Sequence, residues 1–299
     1  MTDNFRGALL MLGSMAFFTL NDSCTKLLAD SLPLSQVITL RGILTSLATA
    51  LIAWRLGAFA VRLSARDRNL IVLRTAAEAG TAYFFITALF NMPLANVTAV
   101  LQSTPLIVTL AAALFLGEPV GWRRLGAILV GFVGVLLILR PGPEGFTIYS
   151  AYTLAAVGLV TVRDLATRKL SHEVPSMLVS FVTATGVTLA FAVAGAVQAD
   201  WVAVDARSGA LILAAAVAVL VAYLCSVAAI RCGEISFVSP FRYSGLLFAL
   251  LLGLVIFGHW PEWPTLAGAA IVVSSGLFML YRERTLGLPP TAPVKTPRS

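Results

Sequence analysis

Asp22-Ser23-Cys24-Thr25-Lys26 returns 142 residues further on as Asp164-Leu165-Ala166-Thr167-Arg168, and this echo decides the fold. The register holds outward from it. Pro33 finds its counterpart in Pro175 at the same spacing, and Ala95-Asn96-Val97-Thr98 aligns with Ser236-Phe237-Val238-Ser239. Gly117 then matches Gly258, and Gly134 matches Gly276. A chain that repeats itself once over nearly its whole length is a two-fold array. The spans counted below put five in each copy, an odd number, so the second copy enters a membrane from the opposite side. Inverted repeats with a site at their interface are a hallmark of secondary transporters.

Composition establishes the membrane. Of 299 residues, 59% are apolar and only 12% charged, with a mean hydropathy of +0.91. A soluble domain carries roughly a quarter charged residues, so a soluble enzyme domain and a disordered chain are both excluded. At about 30 residues per span and connection the length holds about ten helices. Apolar runs place them at 7–29, 34–54, 69–90, 95–116, 122–140, 147–169, 175–197, 208–231, 235–257 and 264–282. Each is helical because lipid offers no partner to an open backbone. The expected organisation is an all-α integral membrane protein: a first five-helix repeat over 1–140, a second, inverted one over 141–284, and a Pro-rich disordered tail over 285–299.

The formal charge of +7 is a topological signal. With the N-terminus inside, the inner segments hold Arg6, Arg55, Arg62, Arg66, Arg68, Arg123, Arg124, Arg168, Lys169, Arg231, Arg282, Arg284, Lys295 and Arg298. The outer segments hold Lys26, Arg140 and Arg207. By the positive-inside rule both termini are cytoplasmic, and no nucleic-acid partner is required. Cys24, Cys225 and Cys232 lie in apolar surroundings without ligand spacing, and His172 and His259 fall in separate loops. No metal centre or cofactor is expected. Arg6 and the apolar run after it lead into Asn21, Asp22 and Lys26 without a small-residue cleavage site, so the run reads as a retained first span.

These residues resemble the drug/metabolite transporter superfamily, EamA type. The resemblance is carried by Asn21-Asp22 with Lys26, Pro33, Arg41-Gly42, Pro105, Leu116-Gly117-Glu118-Pro119, and the glycines Gly126, Gly131 and Gly134. It covers residues 7 to 282. The second half departs from the pattern where His259-Trp260 stands for Glu118-Pro119. Arg6-Gly7 through Asp22, with Leu34-Ser35-Gln36 and Arg41-Gly42, is most similar to the branch of riboflavin and S-adenosylmethionine uptake carriers. Amino-acid and metabolite exporters are more distant. The resemblance implies a bacterial inner-membrane carrier that uses no ATP and moves a small molecule by alternating access, with riboflavin as the expected substrate.

An ionisable group inside a span costs at least about 2.5–3.5 kcal/mol, so each needs a partner, a wet cavity or a role. Glu78, halfway along the third helix, is either a proton-titrating or substrate-binding carboxylate or one member of a structural ion pair, with Arg74 one turn before it. Asp22, with Asn21, Lys26 and Arg41, suggests a gate at the outer mouth; Arg163 and Asp164 occupy the matching place at the inner mouth. Lys26 and Arg168 could instead anchor helix ends by snorkelling. Arg242, followed by Tyr243, is the other deep charge, suited to an anionic substrate group or to Glu78. Gln102 precedes Pro105, which should free a backbone carbonyl at substrate depth. Phe17, Phe18, Tyr83, Phe84, Phe85, Tyr152, Tyr223 and Tyr243 offer stacking surfaces, with Tyr83 preferred for the pocket. The glycine-rich faces suit internal packing or a homodimer equally. The chain carries no H-E-x-x-H, G-x-S-x-G or P-loop motif, which counts against a membrane enzyme and against ATP hydrolysis.

Overall fold

A computed structural model of the chain describes residues 3–61, 63–116, 121–140, 147–171, 173–232 and 235–285. Arg62, His172, the Gly117-Glu118-Pro119 junction and the tail beyond residue 285 lie outside the described residues, as do the side chains of Arg231 and Cys232. The described residues are helical throughout their long elements, with no strand among them. In the first half these are α1 (Asp3–Lys26), α2 (Leu34–Arg55), α3 (Ala65–Asn91), α4 (Leu94–Leu101), α5 (Thr104–Leu116) and α6 (Trp122–Leu139). The second half holds α7 (Ile148–Arg168), α8 (Ser176–Gln198), α9 (Ala206–Cys232), α10 (Ile235–Val238), α11 (Ser244–Phe257) and α12 (Trp263–Thr285).

Sequence punctuation sets the boundaries. Pro33, Pro93 and Pro175 stand immediately before α2, α4 and α8, where the missing N–H costs nothing. Ser64 caps α3 by accepting from the Asp67 amide at 3.0 Å, and Gly258 closes α11 in the left-handed conformation at φ +64°. Two breaks lie beside proline. The α4–α5 break at 102–103 stands just before Pro105, the second residue of α5, and Pro240 lies in a 3-10 turn, Ser239–Tyr243, between α10 and α11. Each broken pair makes one rod, so ten rods result among the described residues. Eight are long and apolar enough to cross a membrane. The other two, α1 and α7, are repeat counterparts, and they carry the Asp22 and Asp164 clusters.

The packing maps onto itself when the halves are exchanged. Eight rods close a ring in the order α1, α9, α2, α8, α3, α7, α4, α11 and back to α1, and neighbours always come from different halves. The α1–α9 contact is mirrored by α7–α3, α2–α9 by α8–α3, and α4–α7 by the packing of α1 on α10 and α11. Counterparts α6 and α12 pack against each other beside the ring. There Gly134 and Gly268 bring the helices so close that a Cβ at either would meet the other's carbonyl oxygen.

Direction follows from end-to-end bonds. Lys26 at the end of α1 donates to the Leu89 and Met92 carbonyls at the end of α3, so α1 and α3 run parallel. Asp67 at the start of α3 accepts from Ser171 just after α7, and Thr153 near the start of α7 touches Met92 just after α3. Helices α3 and α7 are therefore antiparallel, and so are the counterparts α1 and α7. Likewise Gln36 at the start of α2 bonds both backbone groups of Val202, just beyond α8. The two halves run in opposite senses.

Candidate functional site

Two contacts lie where the exchange leaves the structure unchanged. Ser46 of α2 and Thr188 of α8, repeat counterparts, have their hydroxyls 3.4 Å apart. Across the ring, Gln102 at the α4–α5 break donates to the carbonyl of Arg242 in the 3-10 turn at 3.2 Å. Gln102 is eight residues into a crossing that starts on one face, and Arg242 seven into one that starts on the other. Their meeting therefore falls about 10–12 Å from either end, near the membrane midplane. Between these two walls lies the interior of the ring.

The charged side chains of four helices converge there. Arg163 of α7 donates to Glu78 of α3 at 2.9 Å and bonds Asp164 at 2.9 Å. Arg74 does not take up Glu78, its neighbour one turn on; its guanidinium bonds Thr167 of α7 and Thr183 of α8. Thr167 and Thr183 lie on the two helices packed against α3, so the guanidinium is taken across those contacts and not along its own helix. Arg41 donates to Asn21 at 3.0 Å and to Thr25 at 3.3 Å. Thr25 and Thr167 are repeat counterparts, and so are Arg41 and Thr183. Arg74, from the first half, thus supplies the second half with the guanidinium its own position 183 lacks.

Tyr223 of α9 is the aromatic among these charges. It lies within electrostatic reach of Glu78, Arg163, Arg74 and Arg41, and its ring meets Phe18 of α1 edge-on at 5.2 Å. Yet 53% of its surface is exposed. Its electrostatic neighbours are thus charged groups of three other helices, and half of its surface is left open. Residue types alone named Tyr223 as one stacking surface among eight. The signal that singles it out is a phenol in the middle of an otherwise apolar helix, where its hydroxyl needs polar company.

Several expectations change on this geometry. Tyr83 joins Phe84, Tyr152 and Tyr149 in an aromatic cluster at the far end of the α3–α7 contact, away from Glu78. Tyr243 is buried, with its hydroxyl directed at Gly276 of α12, so it packs outside the ring. Lys26 does not join Asp22 and Arg41; it caps α3. Asp22 is bonded by Asn21 at 2.9 Å. The carbonyl that Pro105 frees, that of Leu101, is taken by the Thr104 hydroxyl at 2.6 Å, leaving no bare acceptor for a substrate. Arg242 presents an exposed side chain and pairs with neither Glu78 nor any other described residue. Among the described residues no His, Cys, Asp and Glu group could hold a metal.

The EamA-like transporter family matches residues 5–140 and again residues 148–281. The chain belongs to this family. A riboflavin transporter of Vibrio cholerae is 30% identical over 200 residues, covering 65% of this chain and 65% of that protein, just under two thirds of either. An S-adenosylmethionine uptake transporter of Rickettsia bellii is 25% identical over 64% of this chain and 65% of that one. A solved crystal structure superposes over 94% of this chain and 98% of its own with a TM-score of 0.65 at 17% identity, a likeness of fold. The chain is a multi-pass membrane protein of the drug/metabolite transporter superfamily.

Proposed function

We propose that this transporter carries riboflavin, or a closely similar planar cofactor precursor, into the cell across the inner membrane by alternating access, with both termini cytoplasmic. The observation that carries the reading is the open Tyr223 ring against Phe18, facing Arg41, Arg74, Glu78 and Arg163. Riboflavin joins a flat heteroaromatic system, with imide oxygens and nitrogen at one edge, to a polyhydroxyl chain. An aromatic wall serves the plane, and guanidinium and carboxylate groups serve the edge and the hydroxyls. The riboflavin transporters among the relatives favour the same substrate. The two walls marked by Ser46–Thr188 and Gln102–Arg242 are where the halves would rock against each other.

Expression in a riboflavin-requiring bacterium tests this reading. Growth on limiting riboflavin that fails with the empty vector is the expected result. Absence of rescue, with S-adenosylmethionine entry conferred instead, would transfer the assignment to that substrate.

A further inference from the structure

Three carboxylates stand in the interior, and the structure treats them differently. Glu78 and Asp164 share Arg163, which bonds both at 2.9 Å. Asp22 is the repeat counterpart of Asp164, but where Asp164 has Arg163 beside it, Asp22 has Asn21. The Asn21 amide donates to Asp22 at 2.9 Å, and its oxygen accepts from Arg41 at 3.0 Å. Asn21 is thus wedged between the acid and the cation that would otherwise close on it. Arg41 spends its other contact on Thr25. No salt bridge within 4.0 Å reaches Asp22 among the described residues.

From α2, Arg41 faces Asp22; from α3 and α9, Glu78 and Tyr223 face Arg41 in turn. On its own helix Lys26 is turned away to the carbonyls of Leu89 and Met92. Helix α11, packed against α1, has no ionisable residue. A carboxylate set within a span and denied a fixed cation is the one that can be neutralised by a mobile one. Asp22 is only half-buried.

We propose that Asp22 is the proton-coupling site of this transporter, which rests on the transport reading above. A proton from water on the side to which the hollow is open joins a carboxylate oxygen of Asp22. The same O–H bond breaks when the hollow opens to the other side, releasing the proton there. No other bond changes, and nothing is oxidised or reduced. The Asn21 bond to Asp22 survives either state, because the acid form keeps a carbonyl oxygen to accept it. Glu78 and Asp164 are held by Arg163 instead.

Infrared difference spectroscopy of the full chain in liposomes, with pH stepped downward, reads this directly and needs no substrate. A protonated-carboxyl band should appear in the wild type and in Glu78→Gln, vanish in Asp22→Asn and return shifted in Asp22→Glu. A band that survives Asp22→Asn, or that is lost with Glu78→Gln, overturns the proposal. In the same liposomes an imposed pH gradient should drive riboflavin accumulation, with Asp22→Asn losing the response to the gradient and Asp22→Glu regaining it. Accumulation that follows a sodium gradient and ignores pH also overturns it. A wild type that carries no riboflavin removes the substrate reading alone, and the infrared result still decides the role of Asp22.

Discussion

Ser46 and Thr188 are counterparts in the two repeats, and their hydroxyls lie 3.4 Å apart on the line about which the halves exchange. The close approach depends on Gly42, where a Cβ would stand 2.2 Å from the Thr188 hydroxyl oxygen and 3.1 Å from its Cβ. Gly42→Ala should therefore push α2 off α8 and cost about 1–3 kcal/mol, the usual penalty of overpacking. Thermal unfolding in detergent should show the loss, and Thr188→Gly introduced with it should recover most of the stability. Gly42→Ala unfolding at the wild-type temperature would contradict the close contact.

The Glu78–Arg163 pair joins the halves with both side chains about three-quarters buried. Arg163→Met strips both Glu78 and Asp164 of their counter-ion and should destabilise the fold by about 3 kcal/mol, the low end for a buried pair, whereas Glu78→Gln leaves Arg163 its bond to Asp164 and should cost less. A double-mutant cycle on unfolding midpoints measures the coupling. Independent, additive losses would show that the two do not act on each other.

On the proposed reading, Tyr223 offers substrate both a ring and a hydroxyl. Tyr223→Phe keeps the ring and should raise the half-saturating riboflavin concentration by up to about tenfold, the worth of one hydrogen bond. Tyr223→Ala also removes the partner of Phe18 and should raise it further. Uptake kinetics over a riboflavin series separate the two. Equal effects would leave the aromatic face without a part in binding.

Asp205, in the α8–α9 connection outside the spans, caps α9 by accepting from Ser208 at 3.0 Å. The Ser208 side-chain and backbone hydrogen bonds hold its carboxyl below the usual range. A depressed carboxylate contributes stability above its unfolded pKa and loses it as pH falls through the folded one. Protection of the Ser208 and Gly209 amides, taken relative to their intrinsic exchange rates at each pH, should accordingly fall when pH drops below the ordinary carboxylate range, and Asp205→Asn should flatten that dependence. An unchanged pH dependence in Asp205→Asn would remove the cap from the account.

The helices were legible because lipid demands continuous apolar runs, though the runs 95–116 and 235–257 each hold a break that their apolar pattern does not show. The repeat was legible because Asp22, Thr25 and Lys26 keep their chemistry at Asp164, Thr167 and Arg168. Partners were not. Sequence spacing offers Arg74 to Glu78, whereas packing between the halves offers Arg163, and tertiary contact decides. Tyr83 misleads for a similar reason: five residues beyond Glu78 is over a turn along and about 140° around the helix. Tyr223 comes within electrostatic reach of Glu78 only because α9 and α3 belong to one ring, which no local pattern encodes.

The central claim is that two oppositely directed halves share one hollow, and side-specific labelling tests it most directly. Ser31 and Glu173 are exposed repeat counterparts in the connections after α1 and α7. In a background with Cys24, Cys225 and Cys232 changed to serine, Ser31→Cys and Glu173→Cys are to be labelled in intact cells and in inverted vesicles with a membrane-impermeant thiol reagent. Ser31→Cys should be modified only from the outside and Glu173→Cys only from the cytoplasmic side. Modification of both from the same side would contradict it.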